Sequence, residues 1–223
     1  VAEGGPSVHK ESGRIGALKP GTMLAFGDAL ENGKKGRTVF RWRDGVSVSA
    51  GEQALAVLSS EGPGSNPVRI LIPALGSFGI FFKRLPADRM KIRTFAAEIE
   101  PASEPAALTL FAGSDGTTLA SVTEGSFSFE PIVRGEEEES GSMTVRAGGH
   151  ILISLGGAIT ASAEGDDPDR LFGPERTAWS AWNRAINAKL SQRLEAQRRE
   201  AEARSWAQAM FDAYERTEKE YRL

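Results

Sequence analysis

A mainly β fold, an antiparallel-rich sandwich, barrel or solenoid-like domain with a long C-terminal α-helix, is predicted by three observations. Short segments alternate apolar and polar residues with a period of two, as in Ser126-Phe127-Ser128-Phe129 and Met143-Thr144-Val145. Glycine-centred turn signals recur about every eight to twelve residues, which suits hairpins and not βαβ units. From Pro174 onward the composition shifts to Ala, Glu, Arg, Gln and Lys, with no further Pro or Gly.

Residues 1–16 contain Gly4-Gly5-Pro6 and few apolar side chains, and predict a flexible N-terminal arm or an edge-pairing tail. Order is expected to begin at the turn Ala17-Leu18-Lys19-Pro20-Gly21. Thr38 to Trp42 reads as a strand, with Phe40 and Trp42 on one face and Val39 and Arg41 on the other. Asp44-Gly45 is the strongest short-range hairpin signal in the chain, and Val46 to Ser49 is its return strand. Ala54 to Leu58 is the next strand, followed by a Gly/Pro/Ser loop over Glu61 to Pro67. Val68 to Ile72 is nearly all apolar, as a strand covered on both faces would be. Ile80 to Phe82, Lys91 to Arg93 and Ala107 to Phe111 continue the series. The stretch from Lys91 to Gly157 then supplies four or five short strands, closing with Ile151, Ile153 and Leu155 on one face.

The bulk numbers exclude several classes. The chain has 223 residues, 40% of them hydrophobic, enough for a packed core. A net charge of −3 leaves no basic footprint for nucleic acid. No run of 18 apolar residues exists, so no segment reads as a membrane-spanning helix. Cysteine is absent, which removes disulfides, thiolate nucleophiles and Cys-based zinc sites, and fits an oxidising compartment. The first residue is Val1 and not Met, from which a processed or trimmed N-terminus is expected.

Candidate chemistry is sparse. His9 and His150 are far apart, and no metal-ligand spacing is present, so neither a metal nor a cofactor is expected. Glu98 and Glu100 share one face of a strand and superficially resemble a carboxylate pair, but glycoside hydrolysis needs such groups to flank a cleft. Asp166, Asp167 and Asp169 resemble a calcium cluster without the EF-hand spacing or its closing Glu. Glu136 to Glu139 reads as a solvated acidic loop. There is no P-loop, dinucleotide fingerprint or nucleophile elbow. A non-enzymatic role follows.

The segment from Gly21 through Leu24 and Gly27-Asp28-Ala29-Leu30-Glu31-Asn32-Gly33-Lys34-Lys35-Gly36-Arg37, then Asp44-Gly45, resembles the opening of the FecR domain. Asp115-Gly116-Thr117-Thr118, Val122-Thr123-Glu124-Gly125 and Val145-Arg146-Ala147-Gly148-Gly149 resemble its end. The likeness covers about residues 14–157. It departs where such domains carry an Arg-Gly-Thr step, since this chain reads Glu98-Ile99-Glu100-Pro101 there. The resemblance implies a periplasmic or cell-surface β domain that binds other proteins. It divides the chain into an arm (1–16), a FecR-like β domain (17–160), a linker (161–173) and a C-terminal amphipathic helix (174–223).

That helix is expected to start at Gly173-Pro174-Glu175 and to extend about 75 Å. Trp179, Trp182, Ile186, Leu190 and Leu194 form one stripe, expected to dock on the chain's own domain. Trp206, Met210, Ala213, Tyr214 and Tyr221 form a second stripe on the opposite side, and Trp206, Met210, Phe211, Tyr214 and Tyr221 are the expected partner-binding residues. The expected function is that of a structural, protein-interaction component of an envelope-associated assembly, acting through self-association or a protein partner. A carbohydrate- or peptidoglycan-binding module is the alternative, with Trp42, Phe40 and the Phe78–Phe82 cluster as its stacking surface.

Overall fold

The computed structural model describes residues 2–3, 5–42, 44–62, 68–85, 90–132 and 141–162, and the single positions 192, 199 and 205. The chain divides into two units, Val1–Asn183 and Arg184–Leu223, and every described strand belongs to the first. The first seven strands are β1 (Ala2–Glu3), β2 (Ser7–His9), β3 (Ile15–Ala17), β4 (Ala29–Glu31), β5 (Arg37–Arg41), β6 (Val46–Ala50) and β7 (Leu55–Glu61). A long strand, β8 (Val68–Phe82), is followed by β9 (Met90–Arg93), β10 (Ala97–Pro101), β11 (Ala106–Ala112) and β12 (Thr118–Glu124). The last four are β13 (Ser126–Pro131), β14 (Met143–Arg146), β15 (His150–Ile153) and β16 (Ile159–Ser162).

The strand β8 belongs to two wings at once. Its first half, through Leu75, pairs with β7 and β9, while the half from Gly76 to Phe82 pairs with β6 and β11. One wing therefore runs β3-β2-β4-β7-β8-β9-β10-β13-β14, and the other runs β1-β5-β6-β8-β11-β12-β15-β16. The β8–β9 ladder is parallel; every other ladder among the described residues is antiparallel. Gly76 explains how one strand serves both wings. Its φ is +95°, and a Cβ there would lie 2.8 Å from the Ala54 Cα, so only a residue without a side chain fits the bend.

The wings meet over one apolar core that holds Val8, Leu30, Val48, Leu71, Phe78, Ile80, Phe82, Ile99, Leu110, Phe127, Phe129 and Ile151, among others. Residues of both wings contribute, so neither face of the core closes without the other. Inside this apolar layer several polar groups are matched. Asn32 donates from Nδ2 to the carbonyls of Ala50 (3.0 Å) and Gly51 (2.8 Å), and its Oδ1 accepts the Thr38 hydroxyl at 2.7 Å. The Thr118 hydroxyl donates to Thr94 Oγ1 at 2.6 Å, tying β12 to the β9–β10 turn.

Three sequence expectations change here. The fold class is corrected: the described elements are all strands, and no helix is found among them, against the long C-terminal helix. The segment expected as that helix, 174–223, lies outside the described residues apart from the single positions 192, 199 and 205, and its expectation rested on local terms alone, helix propensity and i,i+4 pairs. Val68–Ile72 and Ile80–Phe82, expected as two strands, are one, because Pro73 and Gly76 are absorbed by a bulge against Leu55/Ala56 and by the positive-φ bend. The N-terminal stretch runs as β1, β2 and β3 along the wings, and Val8 enters the core.

Candidate functional site

Loop and strand together build a cleft of about 420 Å³ beside β5. Segment Leu18–Leu24 forms one wall; Thr38 to Trp42 forms the other, and Leu58 of β7 completes it. The period-two alternation of β5 puts Phe40 and Trp42 on the same side, where both pack partly against the core. Their rings meet edge to face, with centroids 5.4 Å apart at 61°. The hairpin that follows holds Trp42 in place: its N–H donates to the Val46 carbonyl at 2.9 Å across the Asp44-Gly45 turn.

An ion pair with a buried carboxylate anchors the opposite wall. The Lys10 ammonium binds the Asp28 carboxylate and also donates to the Met23 carbonyl at 3.1 Å. Asp28 Oδ2 further accepts the Ala25 N–H at 2.8 Å. Burial pushes the Asp28 carboxyl up. The Ala25 N–H and the Lys10 ammonium more than offset that and hold it below the usual carboxylate range. The loop backbone is thereby fixed while the Met23 side chain stands 75% exposed at the cleft.

The electrostatics of the cleft are one-sided. Among the described residues Lys19 and Arg41 line it, and no Asp or Glu does. Among the described residues neither cation has an ion-pair partner.

The carboxylates singled out in the sequence lie elsewhere, on the outer face of β9 and β10. Glu98 sits between two cations: Lys91 Nζ at 2.7 Å from Oε2, and Arg93 Nε at 2.8 Å from Oε1. Arg93 also grips Glu61 with both terminal nitrogens, and Lys91 reaches Glu100 at 3.1 Å. Burial raises Glu98, yet Lys91 and Arg93 outweigh it and hold the carboxyl low, while the Glu61 carboxylate holds the Arg93 guanidinium above its usual value. A carboxylate locked into its charged form by two cations is poorly suited to general acid or base work near neutrality.

The histidines do not assemble a catalytic group. His9 Nε2 lies 2.8 Å from Glu31 Oε2 and 3.5 Å from Ser7 Oγ, so acid and hydroxyl share one ring nitrogen. A proton relay needs them on opposite nitrogens. His150, expected as a half-buried ring, is buried at the start of β15. No cluster of three metal-ligating side chains occurs among the described residues. Phe78, Phe81 and Phe82 are core residues, so of the aromatic surface expected for sugars only Phe40 and Trp42 line a cleft. Asp166, Asp167, Asp169 and Glu136 to Glu139 lie outside the described residues, as do Trp179, Trp182, Ile186, Leu190, Leu194, Trp206, Met210, Phe211, Tyr214 and Tyr221. Lys19, Met23 and Arg41 were not singled out by the sequence, since nothing local joins a loop at 18–24 to a strand at 38–42.

The described fold is mainly β, and no described helix is long and apolar enough to cross a membrane. No protein family matches the chain, and no curated protein does. Among solved structures it is similar to two crystal structures of candidate anti-sigma factors from Parabacteroides distasonis ATCC 8503. One, at 2.50 Å, shares 16% identity at a TM-score of 0.47, covering 64% of this chain and 62% of that one. The other, at 1.65 Å, shares 18% identity at a TM-score of 0.48, covering 68% of this chain and 63% of that one. The matched region thus spans less than two thirds of either structure's length.

Proposed function

We propose that this chain is a non-enzymatic, extracytoplasmic protein-interaction component of an envelope-associated assembly. One observation carries the reading: the cleft at β5 combines exposed Met23 and half-buried Phe40 and Trp42 with two cations that have no ion-pair partner among the described residues. Apolar anchors beside unpaired charge are what a recognition surface requires, whereas a purely structural surface pairs or solvates its charges singly. The candidate acids, by contrast, are engaged in ion pairs on a different face. The envelope setting draws on the resemblance of residues 14–157 to the FecR domain and on the absence of cysteine.

The test is site-specific photocrosslinking in intact source cells, with benzoylphenylalanine in place of Met23. A discrete protein adduct that disappears on adding Arg41→Glu is the expected result. Adducts formed equally well from a probe at Thr160, on β16, would count against the cleft. The carbohydrate-binding reading has one observation in its favour, the Phe40–Trp42 pair lining the cleft.

A further inference from the structure

Resting on the protein-interaction reading above, we propose that the cleft between Leu18–Leu24 and β5 binds an extended peptide segment bearing carboxylates next to apolar side chains. The charge argument comes first. Among the described residues two cations and no anion line the cleft, and both cations lack a partner. The chain as a whole is acidic, with a net charge of −3, so this is a local reversal of sign. Unpaired Lys19 and Arg41 steer an acidic segment inward, and Arg41 can take a carboxylate in a charge-assisted hydrogen bond.

The walls specify the rest of the ligand. Exposed Met23 and half-buried Leu24, backed by the buried Leu18 and Leu58, give the cleft an aliphatic and thioether wall, which favours apolar side chains. Methionine, with three rotatable bonds, adapts to several side-chain shapes. The backbone N–H groups of Met23 and Leu24 lie outside every ladder and make no hydrogen bond among the described residues, leaving them for a peptide's carbonyls. A cleft of about 420 Å³ admits a short segment and not a folded face.

A sugar fits less well. The hydroxyls that line the cleft are those of Thr22 and Thr38. Thr22 Oγ1 already accepts the Lys19 N–H at 3.1 Å, and Thr38 Oγ1 donates to Asn32 at 2.7 Å. The donors left in the cleft, Lys19, Arg41 and the Met23 and Leu24 N–H groups, would match sugar oxygens as acceptors, but sugar O–H groups held against the Leu and Met walls would find no acceptor side chain among the described lining residues. The edge-to-face packing of Phe40 and Trp42 also occupies ring face that stacking would use.

The experiment is a fluorescence anisotropy titration of the full chain with a fluorescein-labelled octapeptide, Glu-Leu-Glu-Phe repeated twice. Parallel titrations replace every Glu by Lys, or every Leu and Phe by Ser, and chitotetraose is added as competitor. Saturable binding by the Glu-Leu-Glu-Phe peptide alone is expected, weakened at least tenfold by Arg41→Glu and by Met23→Ser. Both residues are exposed, and unchanged thermal unfolding of each variant verifies that the fold is kept. Failure to saturate at millimolar protein, equal affinity for the Lys peptide, indifference to both substitutions, or displacement by chitotetraose would each overturn the proposal. A protein adduct from position 23 without peptide binding rejects the peptide class alone; loss of both rejects the interaction reading as well.

Discussion

The rings of Phe82 and Phe127 meet edge to face, 5.9 Å between centroids at 61°, and join the two wings of the fold at the centre of the core. Phe82 ends β8 and Phe127 sits on β13, and both are fully buried. The contact links one wing to the other, so its loss cannot be repaired within a single sheet. Phe127→Ala is expected to cost about 3–5 kcal/mol of stability. Urea unfolding followed by far-UV circular dichroism checks it; a loss under about 1 kcal/mol would mean the wings are not joined there.

Gly76 is the hinge on which the topology turns. An Ala there meets the left-handed penalty of about 1–2 kcal/mol and an approach of 2.8 Å to the Ala54 Cα. Backbone cannot rotate away as a side chain can. Gly76→Ala is therefore expected to destabilise by about 2 kcal/mol or more, while Gly62→Ala, with open space around its Cβ, should lose only the conformational part. Equal losses in the two variants would refute the steric argument.

Features held by neighbouring residues were readable from the sequence, and features held across the fold were not. Asp44-Gly45 announces its hairpin because a positive φ at Gly45 is a property of one residue. The alternation in Ser126 to Phe129 likewise states which side is buried, and Phe127 and Phe129 are indeed inside. The continuity of β8 was hidden because Pro73 and Gly76 are breakers by local rules, and only the bulge opposite Leu55/Ala56 makes room for them. Val8 was hidden for a different reason: a three-residue strand contains one inward position, too little for a period to show. Glu98 was noticed, but its meaning came from Lys91 and Arg93, placed beside it by the β9–β10 register of Glu98 against Arg93. The cleft was invisible because the Lys10–Asp28 pair that sets its loop connects residues from different strands and turns.

Asn32 supplies the next test. It is buried at 2% exposure and its side chain makes three hydrogen bonds, two to carbonyls at the end of β6 and one from Thr38 of β5. Asn32→Ala leaves those groups without partners in an apolar setting, where each unmatched group costs about 1–3 kcal/mol. A total loss of about 2–4 kcal/mol is expected, since partial access of water relieves some of it. Thr38→Val removes only one donor and should cost less. The reverse ranking in thermal unfolding would reject the assignment of Asn32 as the centre of this network.

Acid sensitivity follows from Glu98. Its folded-state carboxyl is held below the ordinary value of 4.5 by Lys91 and Arg93 after burial is offset, so the native state binds its proton less readily than the unfolded chain. The stability it contributes is present above that ordinary value and is lost as pH falls through it towards the lowered one. Glu61, held low chiefly by Arg93, and Asp28 act with the same sign. Lys91 is raised, mainly by Glu98, so its share is lost only at high pH as the solution passes its raised value. Denaturant midpoints measured from pH 7 down to pH 3 should therefore fall steeply for the native sequence and less steeply for Glu98→Gln. That variant keeps the shape of the side chain and leaves Lys91 to Glu100 and Arg93 to Glu61. Parallel acid limbs for the two proteins would show that the ion-paired face of β9 and β10 plays no part in acid stability.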